Sequence, residues 1–215
     1  MAEQRPRGYV SIIGSGYLHP IAALIEVLES HDPKGPNDVQ ASNMENGYSA
    51  AIVILTVLLV ESVIARTQYI RGETPPKKPL DFIRAAYPNS ELVGMLEELF
   101  VVRDAIAHNH VWEAQYVWDD QAGMRLISAA LEEGYGDTKF KRVSDMARRK
   151  THRLSINLFP TRICYEDAKI VLKTATEFLL FLENEDRRYV DISSQYVKLG
   201  ECLEPFVDLL PICRG

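Results

Sequence analysis

The residues of this 215-residue chain best suited to chemistry are Arg103, Asp104, His108 and His110, in the segment Arg103-Asp104-Ala105-Ile106-Ala107-His108-Asn109-His110. An imidazole exchanges a proton near neutral pH. A guanidinium fork matches the paired oxygens of a phosphate and stabilises charge that develops on it. Together they suit cleavage of RNA, whose 2′-hydroxyl supplies the nucleophile, so that no metal or protein nucleophile is needed. Asp104 lies four residues before His108 and shares its helix face, where a carboxylate can hold one ring nitrogen and favour the imidazolium. His110 is a second candidate acid or base. Arg103 and His108 are five steps of ~100° apart, which leaves their side chains about 140° apart around a straight helix. Convergence on one phosphate therefore needs a helix break or a second subunit. The same residues also have a structural reading. Arg103 is placed to pair with Glu61 or Asp104, and His108 to close a helix whose dipole favours its cation.

The elements that would position these side chains read as mainly helical. Pro20 to Ser30 carries one apolar face through Ile21, Leu24, Ile25 and Leu28. His31 to Asn46 reads as a loop, rich in Pro, Gly, Asn and Asp. A long helix is expected from about Gly47 to Arg71, apolar on nearly every side in its first half and so central in a bundle. A short helix follows from Leu80 to Tyr87, and another from Glu91 to about His108 with Ser90 as its N-cap. Val111, Trp112, Tyr116, Val117 and Trp118 change the pattern to strand formers, and Asp119 to Gly123 reads as a turn. This predicts a β-hairpin over Trp112 to Ile127, with a helical continuation through Ala130 and Leu131 as the other reading. Thr161 or Asp167 opens the last strong helix, ending near Asn184. The whole is read as one domain over 1–215: a helical bundle core at 47–184 with the hairpin inserted, and a C-terminal extension at 185–215.

Charge is unevenly spread. The chain is net −6, yet Lys139, Lys141, Arg142, Arg148, Arg149, Lys150 and Arg153 meet only Asp145 in their window. That window is +6 and the remainder −12, so a positive strip on an acidic body could hold a polyanion, or could simply be a solvated face. Cys164, Cys202 and Cys213 are odd in number and widely spaced, which fits free thiols in a reducing, cytoplasmic setting rather than a metal or redox motif. Gly14-Ser15-Gly16 lacks the third glycine of a dinucleotide fingerprint, His19 standing there. No cofactor or metal pattern is found. The most apolar stretch, Ala50 to Val60, falls short of the ~20 residues that cross a bilayer, so no membrane role is expected.

Arg103-Asp104-Ala105-Ile106-Ala107-His108 resembles the R-x4-H motif of the HEPN superfamily of helical nucleotide-binding domains. The likeness covers roughly Gly47 to His110 and then Asp167 to Asn184. It implies a small helical bundle that forms a homodimer, with the arginine and histidine of both subunits lining one cleft. Many such proteins are metal-independent endoribonucleases of toxin–antitoxin or phage-defence systems. By that resemblance Arg103 steadies the phosphoryl group and His108 handles a proton. Asp104 orients one of them, where family members often carry asparagine. His110 has no fixed counterpart. RNA would run along the Lys139–Arg153 strip. The alternative that the resemblance allows is a non-catalytic module that binds a nucleotide or a protein, such as an antitoxin-like partner, as a regulator or scaffold.

Overall fold

A computed structural model describes residues 13–108, 112–120, 123–131 and 136–209 of the chain. It is a mainly α-helical bundle with small antiparallel hairpins inserted. The main helices are α1 (Leu18–Ser30), α2 (Asn43–Ile70), α4 (Leu92–Ala107) and α6 (Tyr165–Glu185), with the shorter α3 (Pro79–Ala86) and α5 (Thr138–Val143) between them. β1 (Trp112–Asp119) and β2 (Gly123–Leu131) form one hairpin, β3 (Ser144–Asp145) and β4 (Lys150–Thr151) a second, and β5 (Tyr196–Leu199) and β6 (Cys202–Pro205) a third.

α2 is the axis. It packs on α1, α4 and α6, and buries Ile52, Val53, Val57, Leu59, Val60, Val63 and Ile64. By length and composition alone it could cross a membrane, and half of its most apolar window is buried inside the bundle. It starts four residues earlier than the sequence reading placed it. Ser42 is its N-cap and accepts the Glu45 N–H at 3.2 Å, a Ser-x-x-Glu start hidden in a run that otherwise reads as loop. The buried Glu45 carboxylate then accepts the N–H groups of Lys34, Gly35 and Tyr165. One side chain thus fastens the preceding loop and the starts of both α2 and α6, where two helix dipoles favour its charge.

α6 is capped by Cys164, with Asp167 accepting the Cys164 N–H at 3.0 Å. Asp167 also takes the Asn157 N–H and amide, so it fixes the incoming loop to the helix start. Ser90 does not cap α4. Glu91 stands at that position without a side-chain cap, while the Ser90 carbonyl accepts the Val93 N–H and the Ser90 N–H donates to the Tyr87 carbonyl. The β1–β2 hairpin forms where expected and continues in strand through Leu131, so the helical continuation is excluded. Residues of the C-terminal segment join the same core as the helices: Ile192, Val197, Phe206 and Leu209 are buried there. Gly14 serves close packing. Its N–H donates to Ser62 Oγ at 3.0 Å, and a Cβ would meet that oxygen at 3.1 Å.

Candidate functional site

α4 begins beside Tyr87, which packs on Phe181 and beneath Arg71 at the end of α2. It then runs back along α2, so that Arg103 in its last turns reaches Glu61 in α2. Arg103 Nη2 lies 2.7 Å from Glu61 Oε1, and Nη1 lies 3.5 Å from Oε2. This forked pair is only 21% and 26% exposed at its two side chains, which keeps it little screened. Arg103 Nε is 2.9 Å from Asp104 Oδ1, but its N–H is not aimed along that line, so the contact is electrostatic rather than a hydrogen bond. The guanidinium also stands 5.9 Å from the Phe100 ring centre, within cation–π range. The interruption of the apolar α2 run by Glu61 is thereby explained: a half-buried carboxylate needs a partner, and Arg103 is that partner.

His108 closes α4, its backbone N–H donating to Asp104 O at 2.9 Å. The imidazole is exposed, and among the described residues it has no polar partner. The Asp104 carboxylate lies against Arg103 rather than His108. Arg103 and His108 of one chain therefore face different surroundings, one held among carboxylates on α2 and one open to solvent at the helix end. His110 lies outside the described residues. The local charge is informative: Glu61 and Asp104 around one guanidinium sum to −1, so a phosphate would need further positive charge.

The basic segment is built onto α4 by two acids that the sequence reading left unassigned. Glu97, on α4, accepts Arg84 at 2.8 Å and also binds Arg142 of α5. Burial raises the cost of its charge, but the Arg142 and Arg84 hydrogen bonds outweigh that, and its pKa falls below the ordinary glutamate range. Glu98 accepts the N–H groups of Arg153 at 2.8 Å and Leu154 at 2.9 Å. Arg153 lies across Gly94, where a Cβ would come within 2.9 Å of its Nε. Arg148 pairs with Asp145 at 3.5 Å. Lys139 and Lys141 remain exposed, and among the described residues no carboxylate pairs with them. A patterned signal for Glu97 and Glu98 did exist: two adjacent acids inside an apolar helix run demand partners from elsewhere.

Cys164 is buried, and its thiol is pushed up to about 11 by burial and by the Asp167 charge. Among the described residues no cluster of His, Cys, Asp or Glu is placed to hold a metal ion. Among the described residues, a cavity of about 220 Å³ lies between α6 and Phe206–Val207 and another of about 110 Å³ between α2 and residues 187–195. No family model, curated protein or solved structure matches the chain.

Proposed function

We propose that this chain is a metal-independent endoribonuclease whose site is completed by a second copy. The observation that carries the reading is an exposed imidazole, His108, at the end of a helix whose preceding turn holds a pinned guanidinium, Arg103. In one chain the Glu61–Arg103–Asp104 group is net negative, and the same group of a second copy would be so too, so the missing cation a second copy can bring is a protonated His108. His108 takes the proton of the RNA 2′-hydroxyl, the oxygen attacks phosphorus, and the 5′-oxygen leaves with a proton from a second imidazole. The products carry a 2′,3′-cyclic phosphate and a 5′-hydroxyl. Glu61 and Phe100 hold Arg103 in position for the charge that builds on the phosphoryl oxygens. Lys139 and Lys141 offer the RNA backbone a salt-sensitive track.

The two carboxylates at Arg103 favour a second reading, in which the pair only braces α4 against α2 and the chain is a non-catalytic binding module. Incubation of mixed RNA with the protein in EDTA, beside His108→Ala and Arg103→Ala forms, decides between them. The nuclease reading expects cyclic-phosphate ends from the native chain and at least a hundredfold loss in both variants. Absence of cleavage by the native chain, or equal cleavage by all three, favours the binding module.

A further inference from the structure

We propose that the β1–β2 ribbon is a docking arm that binds the basic Lys139–Arg153 segment of a second copy of this chain, each copy offering its arm to the other. The strand register opposes Trp112 to Leu131, Ala114 to Ala129, Tyr116 to Leu126 and Trp118 to Met124. Directly opposed residues share a face, so these eight side chains, all apolar or aromatic, form one surface. At the ribbon's base Trp112 packs on Phe159 and, with Leu131, against the core. Toward the tip Tyr116 is 55% exposed and Trp118 70%, with Ile127 exposed beside them at the bulge. The opposite face is mixed, with Glu113, Gln115, Arg125 and Ser128 beside Ala130 and the exposed Val117. An isolated two-stranded ribbon is marginal in water, and this one leaves its apolar face uncovered beyond the base.

Charge identifies the cover. The ribbon and its turn carry Glu113, Asp119 and Asp120 against Arg125, which would repel an RNA backbone. The chain outside the basic segment is net −12, so the segment is the part of this chain that attracts an acidic arm. It also offers an apolar contact, since Met146 is 42% exposed. Large aromatic side chains cover ~150–250 Å² when buried, so Trp118 and Tyr116 leave on the order of 250 Å² open at these exposures. A docked arm covers a similar area on its acceptor, and twofold exchange brings the total to roughly 1,000 Å², where specific interfaces begin. The association does not depend on the nuclease reading, although a docked arm and RNA would compete for the same lysines.

Sedimentation velocity on the full chain up to about 100 µM tests the arm. The native chain should dimerise. Trp118→Ser/Tyr116→Ser and Lys139→Glu/Lys141→Glu should each weaken self-association at least tenfold, with unchanged circular dichroism because all four side chains are exposed. An equimolar mixture of the two double variants should then form a heterodimer through its one intact arm–segment contact, tighter than either variant alone. A native chain that stays monomeric overturns the proposal, as does a dimer indifferent to Trp118 and Tyr116. A dimer indifferent to Lys139 and Lys141 shows arms pairing with each other and equally overturns it, as does a mixture without gain. So does RNA that quenches the tryptophan fluorescence of a monomer, which would make nucleic acid the occupant.

Discussion

A guanidinium flanked by two carboxylates has less charge to offer a phosphate than a lone one, and the two acids at Arg103 differ in what they do. Glu61 makes the forked hydrogen bonds and is the less exposed of the two, whereas Asp104, 39% exposed, touches Arg103 without hydrogen-bond geometry. Glu61→Gln should therefore lower the unfolding free energy by about 1–2 kcal/mol, between the values for surface and buried pairs. Asp104→Asn should change it by less than about 0.5 kcal/mol and, in the nuclease reading, raise cleavage by removing a charge that opposes the phosphate. Urea titrations of both variants check the first part; equal losses would mean that the fork is not the dominant contact. The thiols separate in the same way. Buried Cys164, with its thiol near 11, should resist a maleimide at pH 7.5 in the folded state. Exposed Cys202 should react at once. Mass spectrometry of a Cys213→Ser form, before and after urea, reads both sites.

Between helices, single buried acids act as fasteners. Asp167 accepts the Cys164 N–H, the Asn157 N–H and the Asn157 amide, and so joins residue 157 to the start of α6. Asp167→Asn keeps the shape but turns one acceptor into a donor facing donors. The expected cost is about 2–4 kcal/mol, read as a lower urea midpoint at unchanged slope; a variant as stable as the native chain would show that the network relaxes freely. Such fasteners mark the limit of what the sequence makes legible. The apolar periods of α2 and α6 and the strand pattern from Trp112 place those elements close to where they form, because burial on one face leaves a local signature. The Glu61–Arg103 pair was legible as one of the two pairings, with Glu61 or Asp104, that the spacing offers Arg103, since a carboxylate within an apolar run must find a cation. α5 was not legible: its six residues bury only Phe140 and Val143, and two apolar positions define no period. Nor did any local pattern say that Glu98 would receive the backbone of residues 153 and 154, a contact made across a large sequence separation. The site was read in its residue types but not in its geometry, because helix spacing fixes angles within α4 and says nothing of what α2 brings to it.

At the scale of the molecule, the chain joins an apolar core drawn from the six helices and the C-terminal segment to an acidic surface with one basic segment held on α4. The acid that holds it gives the fold a predictable response to pH. Glu97 is only 7% exposed, and its carboxyl sits below the ordinary range because the hydrogen bonds from Arg142 and Arg84 outweigh its burial. A carboxylate whose folded-state pKa is depressed binds its proton more readily when unfolded, so the unfolded chain gains protons first as the pH falls. The stabilisation is therefore complete above the unfolded-state value of about 4.3 and is lost as the pH drops through the lower folded-state value. Protonation would also leave Arg84 and Arg142 without their shared acceptor and loosen α5 from α4. Urea titrations at pH 7, 5, 4 and 3 should show stability steady to about pH 5 and then falling. Glu97→Gln should be less stable than the native chain at pH 7, and the gap should narrow as the pH falls below about 4.3, because the unfolded native chain then takes up the proton that the folded carboxylate resists. A gap between the two that stays constant across that range would mean that Glu97 contributes by shape and hydrogen bonding alone, and that the segment is held on α4 by Glu98.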